Sequence, residues 1–202
     1  MSELMFKISA PVSEDTIRRL KIGDMVLING SMYIFVSIKS HLRALEMSKK
    51  GESLPINLKE GIIFHCPALF KKVEDKYEIV AVGATTSARL NPFTPELIKQ
   101  FRIRCIIGKG GMDKATLEAM KNYGCVYLDF IGGCSPLYAD KIEGITNIYW
   151  SDLGIYDAVI EIKVRDFGPI LVTMDSHGNS IYEKVEEDTK SKLPIIYKKL
   201  GI

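Results

Sequence analysis

The sequence predicts a mixed α/β fold, layered β-sheets with helices, as a single domain over residues 1–202. Three observations point there. Up to Lys109 the apolar runs are strand-sized, with only short helical patterns between them; after Lys109 helices and strands alternate; near the end a strand-rich stretch returns. The chain is 47% apolar, enough to bury a proper core, and carries neither an internal repeat nor a low-complexity linker at which to divide it.

The elements follow in order. MFKISAP reads as a first strand and SEDTIRRL as a short helix capped by Ser13. MVLINGSMYIFVSI holds two apolar runs joined at Asn29-Gly30, a hairpin signal because both central positions of the tightest hairpin turn take positive φ. From Ser40 to Lys50 the spacing of Leu42, Leu45 and Met47 is helical, and Gly51 ends it. GESLPINLKEG is a loop, GIIFHCP a buried strand and FKKVEDKYEIVAVG a hairpin. TPELIKQF is a helix capped by Thr94, with Pro95 in the first position, where a missing N–H costs nothing. Then come the strand RIRCIIG, the helix DKATLEAMKNYG from Asp113, the strand CVYLDFIGG, the short helix SPLYADKI and the strand ITNIYW. Past the loop SDLGIYD, the stretch AVIEIKVRDFGPILVTMDSHGNSIYEKV reads as a meander of two or three strands, turning at Phe167-Gly168-Pro169 and His177-Gly178-Asn179. The closing EEDTKSKLPIIYKKLGI is helical, with Pro194 disturbing its middle.

Composition narrows the function. A net charge of +2, with Lys and Arg scattered among acidic residues, argues against a nucleic-acid or membrane surface. Strand-sized apolar runs and an N-terminus, MSELMFKISAP, without a signal-peptide core or cleavage site give the expectation of a cytoplasmic protein. Cys66, Cys105, Cys125 and Cys134 match no zinc or iron–sulfur spacing, so no metal is expected on this chain. The first three sit in or beside apolar segments, where a reduced cysteine acts as a small hydrophobe; Cys134, beside Gly132 and Gly133, is the one whose loop setting leaves reactivity open. Of the histidines, His65 in an apolar strand reads as a hydrogen-bonded core residue, His177 in a polar turn as solvated, and His41 as a site candidate.

The stretch from Gly83 to Gly111, GATTSARLNPFTPELIKQFRIRCIIGKGG, gathers the chemistry. It opens at the end of the run YEIVAVG with Thr85, Thr86 and Arg89, and closes at the end of RIRCIIG with Lys109 among Gly108, Gly110 and Gly111. If these two strands lie parallel and adjacent, two hydroxyls and two cations converge where parallel strands end, the usual place for a ligand. Arginine supplies a bidentate fork for one carboxylate and lysine a point charge for a second anionic group, so a dicarboxylate fits better than a nucleotide. The phosphate-loop spacing, in which Ser or Thr follows the lysine, is absent.

The same residues resemble a known family. GATTSAR is similar to the G-P-T-T-S-x-R of the β subunits, or C-terminal domains, of the iron–sulfur-dependent class I fumarate hydratases and L-tartrate dehydratases. CIIGKGGM, CVYLDFIGGCSPLYADKI, WSDLG and VRDFGPILVTMDSHGNSIY follow in the matching order. The resemblance implies a swivelling β/β/α domain and a partner α subunit that holds a four-iron four-sulfur cluster on its own cysteines. The pair would form a heterodimer or heterotetramer that adds or removes water across a four-carbon dicarboxylate, fumarate and malate or else tartrate. The open iron would act as Lewis acid on the substrate's hydroxyl and one carboxylate. Carried over by position, Thr85 is the proton-removing base, and Thr86, Arg89, Lys109 and His41 are substrate-binding. One departure stands out: aligning His41 with the family histidine puts Ser37 where the family has a carboxylate-binding arginine and Ile38 where it has an aspartate. Lys39 or Arg43 then substitutes, the partner compensates, the substrate differs, or the chain is a divergent, non-catalytic binding homologue.

Overall fold

The computed structural model describes residues 5–74, 76–133 and 135–201. The chain begins with β1 (Met5–Ser9), α1 (Glu14–Arg19), β2 (Met25–Ile34) and α2 (Ile38–Lys49). There follow β3 (Ile62–Phe64), the hairpin β4 (Ala68–Val73) and β5 (Lys76–Val82), α3 (Thr94–Phe101), β6 (Cys105–Gly108), α4 (Lys114–Tyr123) and β7 (Val126–Asp129). The rest comprises α5 (Ser135–Ala139), β8 (Ile142–Tyr149), β9 (Val159–Met174) and α6 (Ile181–Leu200). Seven strands form one sheet in the order β1-β2-β3-β6-β7-β9-β8, and β9 also pairs with β2. The ladder therefore closes on itself through β2, β3, β6, β7 and β9, while β4 and β5 make a separate two-stranded sheet.

Strand periodicity sorts the core into two layers. In β3, β6 and β7, Ile62, Phe64, Cys105, Ile107, Val126 and Leu128 pack into one apolar cluster with Met32, Ile160, Ile162 and Phe167. Their alternates Ile63, Ile106 and Tyr127 face the other way, onto Ala44 and Leu45 of α2, Leu97 and Ile98 of α3, and Leu117 and Met120 of α4. Helices thus cover the outer face of strands whose inner face is the enclosed core: the layered α/β arrangement.

Several local expectations change. Asn29-Gly30 is not a hairpin; β2 runs straight through it. Gly30 has φ +91° but Asn29 has no positive φ, so the turn geometry is half made and the chain does not reverse. Instead Asn29 Oδ1 accepts the Asp166 amide at 2.9 Å, and β2 is irregular at this level against β9. The turn expected at Phe167-Gly168-Pro169 is likewise absent. β9 continues because both its halves pair with β2, Ile160–Val164 with Gly30–Ile34 and Phe167–Leu171 with Met25–Ile28. The turn at His177-Gly178-Asn179 is present, built on Asp175, whose Oδ1 accepts the amides of His177 and Asn179, both at 3.0 Å. IYEKV, read as strand, opens α6, capped by Ser180, and α6 runs on past Pro194. Phe93, not Thr94, precedes the first helical residue of α3; the Thr94 hydroxyl donates backwards to Leu90 O at 2.9 Å. Helix α2 begins at Ile38, capped by Ser37.

Candidate functional site

The strands β5 and β6 flanking the Thr85 to Lys109 stretch are not neighbours: β5 pairs with β4, and β6 lies between β3 and β7. Convergence comes from the segment after β5, which leaves the hairpin and lies along the carboxyl ends of the parallel strands. There the Thr85 amide donates to His65 O at 2.9 Å, just past β3. Thr86 bridges Lys109 in parallel fashion and the Ser87 amide donates to Lys109 O at 3.2 Å. Thr85, Thr86, Arg89 and Lys109 are thus brought to one sheet edge, the last three exposed and Thr85 partly so. Among the described residues Arg89 and Lys109 form no ion pair, whereas other cations do.

Beneath this edge lies a polar layer that the sequence reading left unassigned. Ser87 is fully buried, and its Oγ receives the Tyr127 hydroxyl at 2.8 Å and stands 2.9 Å from His65 Nδ1. Gly108 makes room for it, since a Cβ there would collide with both hydroxyl oxygens. On the Lys109 side, the Gly110 amide donates to Asp129 Oδ1 at 3.1 Å, and the Tyr182 ring packs over Gly111. Burial raises the Asp129 carboxyl above its ordinary range, partly offset by the Gly110 amide. The signal for these residues was positional: Ser87 follows Thr86, and Tyr127 and Asp129 lie in and at the end of the strand beside β6. As residue types they are indistinguishable from core and cap residues.

His41 is fully buried on α2, its ring 4.2 Å from that of Phe35 and 5.8 Å from that of His65. Its Nδ1 lies 2.8 Å from Ser37 O, which can only accept, so Nδ1 carries the proton. Burial pulls His41 down to about 4, and burial with His41 and Arg89 nearby pulls His65 well below its ordinary value, so both are neutral imidazoles near pH 7. The Nε2 of each is buried without a partner. His65 is the hydrogen-bonded core residue expected, and His177 is exposed.

Ser37, in the position of the missing arginine, accepts the Lys39 amide as cap of α2 and donates to Asp157 Oδ1 at 2.5 Å. Both substitute cations are engaged: Lys39 Nζ is 2.7 Å from Asp157 Oδ2, and Arg43 grips Asp152 with both guanidinium nitrogens at 2.8 and 2.7 Å. Among the described residues the cysteines do not converge on a metal site. Cys66, Cys105 and Cys125 are buried, and burial pushes their thiols up, that of Cys66 to about 12. Among the described residues no group of three His, Cys, Asp or Glu could hold an ion, so the residues present do not fit an iron–sulfur cluster. Cys134 lies outside the described residues. A cavity of about 550 Å³ between the ends of α2 and α3, lined by Leu54, Leu58 and Phe101, carries none of the candidates. No helix among the described residues is long and apolar enough to cross a membrane.

The geometry defines a class: a layered α/β scaffold that gathers two threonines and two cations, unpaired among the described residues, at the carboxyl ends of its parallel strands. Residues 2–185 match the family described as Fumarase C-terminus; the chain belongs to that family and is a β-type subunit of the class I hydro-lyases. It is 44% identical over 183 residues to a protein of Methanocaldococcus jannaschii provisionally named L(+)-tartrate dehydratase subunit beta, covering 90% of this chain and 93% of that one. It is 30% identical over 174 residues to the L(+)-tartrate dehydratase subunit beta of Escherichia coli, covering 86% and 85%. A protein of Geobacillus stearothermophilus provisionally named fumarate hydratase class I is 40% identical over 187 residues, 92% of this chain but 35% of that protein.

Proposed function

We propose that this chain supplies one half of an active site that reversibly adds water to a four-carbon dicarboxylate, fumarate to malate, and that a partner α subunit supplies the other half with a four-iron four-sulfur cluster. Arg89 grips one substrate carboxylate in a bidentate fork and Lys109 meets the second. Thr86 adds a hydroxyl to the same face. Thr85 moves the proton at the carbon beside the carboxylate. A free threonine hydroxyl is a poor base, so Thr85 works only with the fields of Arg89 and Lys109 close by. His41, neutral and sealed beneath the edge, supports the site rather than offering a charge to a carboxylate. The four groups act in one region of 1–202, which we take as a single functional domain.

The observation that carries this reading is the Thr86–Lys109 bridge, which joins the hydroxyl segment to the lysine loop and leaves Arg89 and Lys109 without carboxylate partners among the described residues. The names of the relatives matched over most of their length favour tartrate as the alternative diacid. Anaerobic co-expression with the α subunit, followed by assays of fumarate, malate and tartrate, tests both. We expect turnover of at least one, and a cluster-loaded complex inert to all three rejects the reading. In that event a second reading, a non-catalytic binding subunit, gains from Ser37, Lys39 and Arg43 all being tied to Asp157 and Asp152.

A further inference from the structure

Below the exposed edge, one serine oxygen sits against residues from three neighbouring strands. His65 follows β3, Gly108 ends β6 and Tyr127 lies in β7. All are buried, as is Ser87. The protons can be assigned from the acceptor inventory. Tyr127 donates to Ser87 Oγ, so the serine's single proton needs an acceptor, and His65 Nδ1 at 2.9 Å is the one within hydrogen-bond reach among the described residues. With His65 Nδ1–H donating instead, both the serine O–H and the Nε2 lone pair would be buried without a partner, whereas the Nε2–H tautomer leaves only that one N–H unpaired among the described residues; an unsatisfied buried group costs on the order of 1–3 kcal/mol. His65 is then protonated at Nε2, the reverse of His41, whose proton sits on Nδ1 facing Ser37 O.

His65 therefore holds the segment twice, through its carbonyl to the Thr85 amide and through its ring to Ser87. We propose that Tyr127, Ser87 and His65 form a directed hydrogen-bond chain that positions the Thr85 to Arg89 segment, with His65 as the Nε2–H tautomer. His65 and Ser87 are positioning residues: they touch no substrate and act by fixing where Thr85 and Arg89 stand. The reaction arm of this inference rests on the function proposed above; the tautomer and the clamp on Thr85 do not.

Two kinds of measurement test it. In the full chain labelled with ¹⁵N-histidine, long-range proton–nitrogen spectra should show His65 protonated on Nε2 and His41 on Nδ1, assigned by loss of signals in His65→Asn and His41→Asn. In the same protein, Ser87→Ala should speed solvent exchange of the Thr85 amide by roughly 10-fold or more, as local opening becomes easier. In the α-subunit complex, Ser87→Ala and His65→Leu should each lower kcat by about 10- to 100-fold, the scale of a small misplacement of reacting groups. His65→Asn, whose amide puts a polar atom where Nδ1 stood, should recover several-fold over His65→Leu. The Ser87→Ala/His65→Leu double variant should be no worse than the poorer single one, because both remove one contact.

A proton on His65 Nδ1, or an unchanged Thr85 exchange rate in Ser87→Ala, overturns the proposal. So does a kcat that stays at the parent level while only the melting temperature falls, or fully additive losses in the double variant. If His65→Leu fails to fold, Ser87→Ala and the spectra still decide. A parent complex inert to every diacid rejects the hydro-lyase reading, whereas the spectra and exchange rates stand apart from it.

Discussion

At the scale of single residues, the site divides into groups that meet solvent and groups that hold them. Thr85 and Arg89 belong to the first, and their losses should differ in kind. Thr85→Ala removes a proton-transfer group and should lower kcat on the order of 100-fold or more with a small change in KM. Arg89→Ala removes a charge-assisted fork and should raise KM by roughly 10- to 100-fold. Steady-state kinetics of the reconstituted complex separates them, and an unchanged kcat in Thr85→Ala ends its assignment as base. Gly108 belongs to the second group. Its φ is not positive, so alanine there is costly for want of space, the Ser87 and Tyr127 hydroxyls occupying the position of the new methyl. Gly108→Ala should cost about 1–3 kcal/mol in urea unfolding, the usual penalty of overpacking, and lower kcat by displacing Ser87. That Thr85, Thr86, Arg89 and Lys109 come to one edge was legible because their two loops each follow an apolar run within one strand–helix–strand stretch. Ser87 and Tyr127 were not, and His65 only as a hydrogen-bonded core residue, because the contacts that join the three span 22 and 40 residues.

At the scale of elements, several signals with local partners were read correctly, although Phe93 rather than Thr94 precedes α3 and IYEKV is helix rather than strand. Ser13 caps α1 as read, α4 starts directly after Asp113, and the β4–β5 hairpin forms as expected. Where the partner is distant, the same signals misled. Asn29-Gly30 has hairpin residues, yet β9, more than a hundred residues on, pairs with β2 on both sides of Gly30 and keeps it extended. The convergence of Thr86 with Lys109 was anticipated, but it needs no ladder between β5 and β6; an isolated bridge suffices. Ser37 shows how an element's needs bear on the site. Its hydroxyl caps α2 and reaches Asp157, so Ser37→Arg would remove a cap worth about 1 kcal/mol. Asp157, released from the serine and already paired with Lys39, would draw the new guanidinium to itself. The expected result is a loss of about 1–2 kcal/mol in denaturant unfolding with no gain in diacid affinity. A several-fold fall in KM would instead mean that the position still faces the substrate.

At the scale of the whole molecule, the closed ladder creates two apolar layers, and the site's histidines pay the electrostatic cost of lying in the outer one. His41 and His65 are folded with values below those of a free imidazole, His41 at about 4. An unfolded chain binds a proton at each near pH 6.5, while the folded chain resists until far lower, so the unfolded state holds more protons between these limits. Stability must then rise with pH through that window and be lost as pH falls from about 6.5 towards 4, by up to about 1.4 kcal/mol per pH unit for each histidine. Asp129 works in the opposite sense, since burial raises its carboxyl and its protonation favours the folded state, but only towards the acid end. The carboxylates of exposed Asp152 and half-buried Asp157, lowered by hydrogen bonds to Arg43 and Lys39, lose their contribution below their ordinary range and leave the upper window to the histidines. Urea unfolding of the full chain at pH 7.5, 6 and 5 should therefore show falling midpoints at constant slope. His65→Asn removes one titrating group and should roughly halve the fall between pH 6 and 5. A midpoint flat from pH 7.5 to 5 would mean that the two rings are hydrated, and with that the neutral, oppositely protonated pair beneath Thr85 would lose its physical basis.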